Sequence, residues 1–131
     1  MSAAPAPVTP SQSREIVAAS LAHLTRITLP VGRFVYSHEV DDITSASEGY
    51  NLLRHCGTLW FMARAARQAN PAPELIDAIQ RATGFIGRKL QPTPWARPDR
   101  PALALVGKDM VKLGGLGLGL MALAEVRALP A

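Results

Sequence analysis

The stretch Arg33–Met62, RFVYSHEVDDITSASEGYNLLRHCGTLWFM, holds most of the unusual polar chemistry of this chain. Its second half predicts a helix that starts near Ser47 or Glu48 and runs to about Ala69, since a proline at position 71 disfavours helix in the residue before it. Polar side chains recur at helical spacing in the early turns, and these are Asn51, Arg54, His55 and Thr58. A polar stripe on an apolar background predicts a helix buried among others, with one face on a polar cavity.

Three further helices are predicted around this one. The other segments predict a hairpin-like loop, a very short strand and a proline-rich loop. In chain order, the helices run from Ser11 or Ser13 to about Thr25, from Pro71 to Leu90, and from about Lys108–Leu113 to Leu129; the loop is Thr28–His38, the strand is Ala102–Val106, and the proline-rich loop is Gln91–Pro101.

These elements predict an all-α fold of antiparallel helix pairs joined by short hairpin-like loops. No alternation of strands and helices supports a parallel sheet. The chain has 131 residues, which is most simply one domain. We therefore expect a disordered Pro/Ala-rich tail over residues 1–10 and a single helical domain over 11–131.

The last predicted helix contains the glycines Gly114, Gly115, Gly117 and Gly119. Each one disfavours a helix interior by roughly 0.5–1 kcal/mol relative to alanine. Close packing against a neighbouring helix would compensate for this. The spacing does not match the GxGxxG of a dinucleotide-binding loop, so helix packing is the preferred interpretation.

Composition excludes several classes of function. The formal net charge is +4, aromatic residues are 5% of the chain, and the basic residues form no dense stripe, so nucleic-acid binding is not expected. The longest apolar run of the last helix, Leu113–Ala124, is shorter than the roughly 18 residues of a spanning helix, so no membrane contact is expected. A signal peptide is not evident, which predicts a cytoplasmic protein.

Metal and thiol chemistry are also not predicted. Cys56 is the single cysteine, and a free cysteine usually behaves as a small buried hydrophobe. The run His38-Glu39-x-Asp41 does not have the spacing of the familiar zinc motifs. We expect no metal and no cofactor.

The best candidates for acid–base catalysis are the carboxylates Glu39, Asp41 and Asp42, which precede the polar stripe. Glycosidic chemistry uses two carboxylates at a set separation, one with its pKa raised by burial. His55 is the further catalytic candidate, since histidine exchanges protons near neutral pH. The alternative is a solvated acidic loop and a buried structural histidine.

The candidate substrate-binding residues are Arg54, Tyr36, Tyr50 and Asn51. Arginine offers a two-pronged donor for a carboxylate such as that of a uronate sugar, and the other three can hydrogen-bond a saccharide. In the alternative interpretation, Arg54 pairs with an acid of the preceding loop and pins that loop, while the other three residues cap and brace the hairpin.

Three segments resemble a known group of proteins. They are Gly32-x-Phe34-x-Tyr36, the run Gly49–Thr58 (GYNLLRHCGT) and the run Lys112–Leu118 (KLGGLGL). In this order they are similar to bacterial α/α-toroid proteins, which include glycoside-hydrolase-like and glucuronyl C5-epimerase-like enzymes. The resemblance spans about residues 27–126, and it implies inward helices around a cleft whose loops carry site residues.

The resemblance implies a carbohydrate-active or carbohydrate-binding domain for an acidic saccharide. A complete toroid needs more helices than this chain supplies, so the domain would be an incomplete toroid, and whether the chain itself is an enzyme stays open. The alternative is a non-catalytic α-helical module that works by self-association or by binding a missing partner segment.

Overall fold

The computed structural model describes residues 7–42, 49–68, 70–93 and 95–130. Within these ranges four helices and two short strands follow one another. They are α1 (Pro10–Arg26), α2 (Leu52–Ala66), α3 (Pro73–Gly87), β1 (Leu90–Pro92), β2 (Leu103–Leu105) and α4 (Leu113–Arg127). The four predicted helices are therefore present, with different ends.

The all-α prediction is wrong, because the chain also forms a two-stranded antiparallel sheet and is a mixed α/β structure. β1 and β2 pair in the register Leu90 with Leu105, Gln91 with Ala104 and Pro92 with Leu103. The strand expected over Ala102–Val106 is thus present as β2. Its partner lies where the sequence predicts the end of a helix and a loop, since three residues that end in proline are too few to display the alternation typical of strands.

Helix ends follow local capping chemistry. The Thr9 side chain accepts a hydrogen bond from the backbone N–H of Gln12, and the Gln12 side chain accepts one from the Thr9 N–H, at 3.2 and 2.9 Å. This capping box starts α1 at Pro10, ahead of the predicted Ser11 or Ser13. The expected start of α2 at Ser47 or Glu48 and its expected end at Ala69 lie outside the described residues. So do positions 1–6 of the expected tail.

The loop between α1 and α2 turns sharply where a hairpin-like loop is predicted. Thr28 and Phe34 form an isolated antiparallel bridge, and Gly32 lies at φ +88° between them. A Cβ at Gly32 would overlap the backbone carbonyl of Arg81 in α3. Glycine is therefore required there both for the backbone angle and for the contact with α3.

The core lies between α2, α3, α4 and β2. Its largest fully buried side chains come from three of these elements, and they are Leu59, Met62, Ile79, Ile86, Leu105 and Cys56. α2 packs most extensively against α4. At the centre of that contact a Cβ on Gly119 would overlap the Leu105 side chain, and it would lie 3.5 Å from the Cys56 Sγ.

Candidate functional site

A cavity of about 120 Å³ lies between the end of α1, the Phe34–Tyr36 strand-like segment and the first turns of α2. All five predicted site residues other than the acids contribute to its wall. Its lining comprises Leu24, Ile27, Phe34, Val35, Tyr36, Gly49, Tyr50, Asn51, Arg54, His55 and Thr58. We call it the His55 cavity.

The N-terminus of α2 positions two of these residues. Asn51 is the N-cap of the helix, and its side-chain oxygen accepts a hydrogen bond from the Arg54 backbone N–H at 3.0 Å. Asparagine is a preferred N-cap because its side chain satisfies an amide that has no partner inside the helix. Asn51 therefore has a structural role at the site it lines.

Arg54 lies at the exposed rim of the cavity. Its guanidinium carbon is 4.9 Å from the centre of the Tyr36 ring, which is a cation–π contact. Tyr36 is itself 38% exposed, so the pair faces solvent. The ion pairs among the described residues do not include Arg54, so the acid partner considered for it in the sequence is not seen in this part of the chain.

His55 lies deep in the cavity wall and is only 3% exposed. Three rings surround its imidazole, with centroid distances of 4.7 Å to Phe34, 5.7 Å to Tyr50 and 5.2 Å to Phe85. Its Nε2 is 3.1 Å from the carbonyl oxygen of Ala82 in α3. Because a carbonyl can only accept, Nε2 carries the proton and Nδ1 carries a lone pair.

Burial lowers the pKa of His55 to about 4, partly opposed by the hydrogen bond to Ala82. The ring is therefore neutral near pH 7, with Nδ1 as an acceptor. This Nδ1 is buried and has no hydrogen-bond partner among the described residues. A buried polar atom without a partner is uncommon in native proteins and calls for a specific explanation.

Tyr50 also carries a buried polar atom without a partner. Its hydroxyl has no hydrogen-bond partner in the described part of the chain. Burial is the main cause that raises the pKa of Tyr50, with a smaller effect from Cys56, so the phenol keeps its proton near neutral pH. The cavity wall thus includes one residue with an unused donor and one with an unused acceptor.

The three predicted carboxylates lie elsewhere. Glu39, Asp41 and Asp42 are exposed, and none of them is among the residues that line the His55 cavity. Glu39 and Asp42 form an isolated antiparallel bridge, which folds this acidic loop back on itself. The structure brings His55, Arg54, Tyr36, Tyr50 and Asn51 together at one cavity, and the three acids are not part of its described lining. A catalytic role for the acids stays a prediction.

Cys56 follows His55 in α2 but points into the core. It is fully buried, and burial raises the pKa of its thiol to about 11. A thiol with a raised pKa forms little of the thiolate that acts as a nucleophile.

A second cavity, of about 270 Å³, lies on the other side of Tyr50 and Asn51. Three lysines line it, Lys89, Lys108 and Lys112, and we call it the lysine cavity. Sequence reasoning missed this cluster because the three residues come from three different segments. The one available signal was Lys112, two residues before the glycines Gly114 and Gly115.

None of the helices in ranges 7–42, 49–68, 70–93 and 95–130 has the length and apolar character needed to cross a membrane. Within the same ranges, no group of three or more His, Cys, Asp or Glu residues is arranged to hold a metal ion.

Comparison with protein-family models, curated proteins and solved structures gave no match to this chain.

Proposed function

We propose that this chain binds an acidic saccharide through the His55 cavity. The observation that carries the proposal is the pair of buried polar atoms without partners, Tyr50 Oη and His55 Nδ1, on two residues of one cavity wall. A sugar hydroxyl that reached Tyr50 Oη could accept from the phenol, and one that reached His55 Nδ1 could donate to the imidazole. Such contacts would satisfy atoms whose desolvation otherwise disfavours the folded state by about 1–3 kcal/mol each.

Arg54 supports an acidic ligand over a neutral one. Its guanidinium lies at the rim, where it can donate two parallel hydrogen bonds to a carboxylate. Arg54 rests on the Tyr36 ring, and Tyr36 is still 38% exposed, so part of this side chain can contact a sugar ring. The resemblance of the segment Gly49–Thr58 to saccharide-acting toroid enzymes points to the same ligand class.

The size of the cavity limits what it can hold. At about 120 Å³ it is smaller than the roughly 300–1,000 Å³ of pockets that enclose a drug-sized ligand. We therefore expect it to take one terminal sugar unit, with the rest of an oligosaccharide in solvent. We therefore expect weak binding, with a Kd of about 1 mM.

The experiment is calorimetric titration of the chain with uronate oligosaccharides and, in parallel, with neutral oligosaccharides of equal length. We expect saturable binding of the uronates only, and its loss in Arg54→Ala with the far-UV circular dichroism unchanged. Arg14→Ala, at an exposed position on α1 outside the cavity, is the matched control. Equal binding of neutral and acidic sugars, or equal loss in the control, would contradict the proposal.

A second candidate function is self-association through α4, and a specific observation favours it. α4 has apolar residues on all sides, a pattern typical of a fully covered helix. Yet Leu113 is 85%, Leu120 63% and Met121 47% exposed. An apolar face without charge is complementary to itself, so a second copy of this chain is the partner that we propose.

Light scattering over a range of concentrations tests this second candidate. We expect a dimer that Leu120→Lys converts to a monomer. Val40→Lys is the matched control, since Val40 is 92% exposed and lies outside α4. A monomer at every concentration, or a dimer that survives Leu120→Lys, would exclude this interface.

A further inference from the structure

The lysine cavity gathers three cations from separate parts of the chain. Lys89 lies between α3 and β1, Lys108 in the turn after β2, and Lys112 directly before α4. None of the three forms an ion pair with any residue that the structure describes. The described lining of the cavity also contains no acidic residue. Like charges on one cavity repel each other, so this arrangement favours an anion between them.

The fold holds two of these lysines in place. Lys108 has a φ of 51° and is followed by Asp109 at 58°, in a turn closed by two hydrogen bonds between Gly107 and Met110 of 3.0 and 3.2 Å. Lys89 lies with its Nζ 5.8 Å from the centre of the Tyr50 ring and 5.5 Å from that of Phe85. The turn therefore fixes the backbone of Lys108, and the two rings position the ammonium group of Lys89.

The first turns of two helices also line this cavity, α2 through Leu52 and Leu53 and α4 through Gly115. α4 begins without a side-chain cap, which leaves the amides of its first turn available. Helix N-termini favour anions because amide N–H groups and the helix dipole both point outward there.

We propose that the lysine cavity is a binding site for a tetrahedral oxyanion, a phosphate or sulfate group. Three lysines line one cavity beside the uncapped first turn of α4, and this arrangement suits a group with three or four oxygens better than a single carboxylate. The site is separate from the His55 cavity, although Tyr50 and Asn51 line both. The inference does not depend on saccharide binding.

Calorimetric titration with sodium phosphate and with sodium sulfate tests the site, with sodium chloride and sodium acetate at matched ionic strength as reference salts. We expect saturable binding of phosphate or sulfate with one site per chain. Lys89→Gln and Lys112→Gln should each weaken that binding about tenfold, since a charged hydrogen bond is lost. Arg127→Gln, an equal change of charge at the far end of α4, should weaken it less than twofold.

Three results would overturn the inference. One is chloride or acetate binding as tightly as phosphate and sulfate. Another is equal weakening in Arg127→Gln and Lys112→Gln, which would indicate a general effect of net charge. The third is loss of phosphate binding in Arg54→Ala, which would place the anion in the His55 cavity instead. If Arg54→Ala still binds phosphate, the lysine cavity remains supported as an anion site, even if the chain binds no saccharide.

Discussion

Gly119 of α4 lies so close to Leu105 of β2 that a Cβ would not fit between them. The small sheet therefore packs at the place where α2 and α4 meet. This close contact explains why a residue that disfavours helix occupies the middle of α4.

Substitution of Gly119 by alanine should therefore destabilise the fold. The new methyl group would overlap Leu105 and press on Cys56, and such overpacking lowers the free energy of unfolding by typically 1–3 kcal/mol. Gly117→Ala is the matched control, since a Cβ there would have no neighbour within 4 Å. That change should stabilise by up to about 1 kcal/mol through helix propensity. Urea unfolding measures both, and a Gly119→Ala variant as stable as Gly117→Ala would refute the packing argument.

Asn51→Ala should shorten or weaken α2. It removes the side-chain acceptor for the Arg54 amide and should lower the free energy of unfolding by about 0.5–2 kcal/mol. Asn51→Ser keeps a capping oxygen and should restore most of the loss. If alanine and serine destabilise equally in thermal unfolding, capping is not the role of this residue.

His55 should make stability depend on pH. Its pKa is about 4 when folded and 6.5 when unfolded, so between these values the unfolded chain binds more protons. Stability is then complete above pH 6.5 and falls as the pH decreases towards 4, by about 3 kcal/mol in total. His55→Gln should remove this dependence, whereas His23→Gln should leave it intact. If the stability of His55→Gln depends on pH as steeply as that of the unmodified chain, His55 is not the source of the dependence.

The thiol of Cys56 should be protected in the folded chain. It is fully buried, and its pKa is raised to about 11. A thiol reagent at pH 8 should therefore label it far more slowly in buffer than in denaturant, at a rate set by opening of the structure. Gly119→Ala should accelerate labelling and Gly117→Ala should not. Rapid labelling of the native chain would show that the contact between α2 and α4 opens readily.

The sequence predicts those parts of the fold that depend on neighbouring residues. The four helices occur close to where the sequence predicts them, and the stripe with Arg54 and His55 does lie along one cavity. The strand β1 is missed because its partner comes after a proline-rich loop, so nothing local distinguishes Leu90–Pro92 from a helix end.

The environment of His55 depends on contacts that are distant in sequence. The carbonyl of Ala82 and the ring of Phe85 reach it from α3. The carbonyl fixes the tautomer, and burial of the imidazole lowers its pKa. The acidic loop precedes the polar stripe in sequence, yet its exposed carboxylates are not part of the cavity wall. The lysine cavity likewise exists only once three separate segments have come together.

The packing of α4 on α2 also bears on how the chain is made. Synthesis proceeds from the N-terminus, so α2 leaves the ribosome well before Leu113 and the rest of α4. Until then the face of α2 that carries Cys56 lacks the helix that covers it. We infer that the Cys56 thiol of a nascent chain is exposed to oxidants until α4 has been synthesised and has packed on α2.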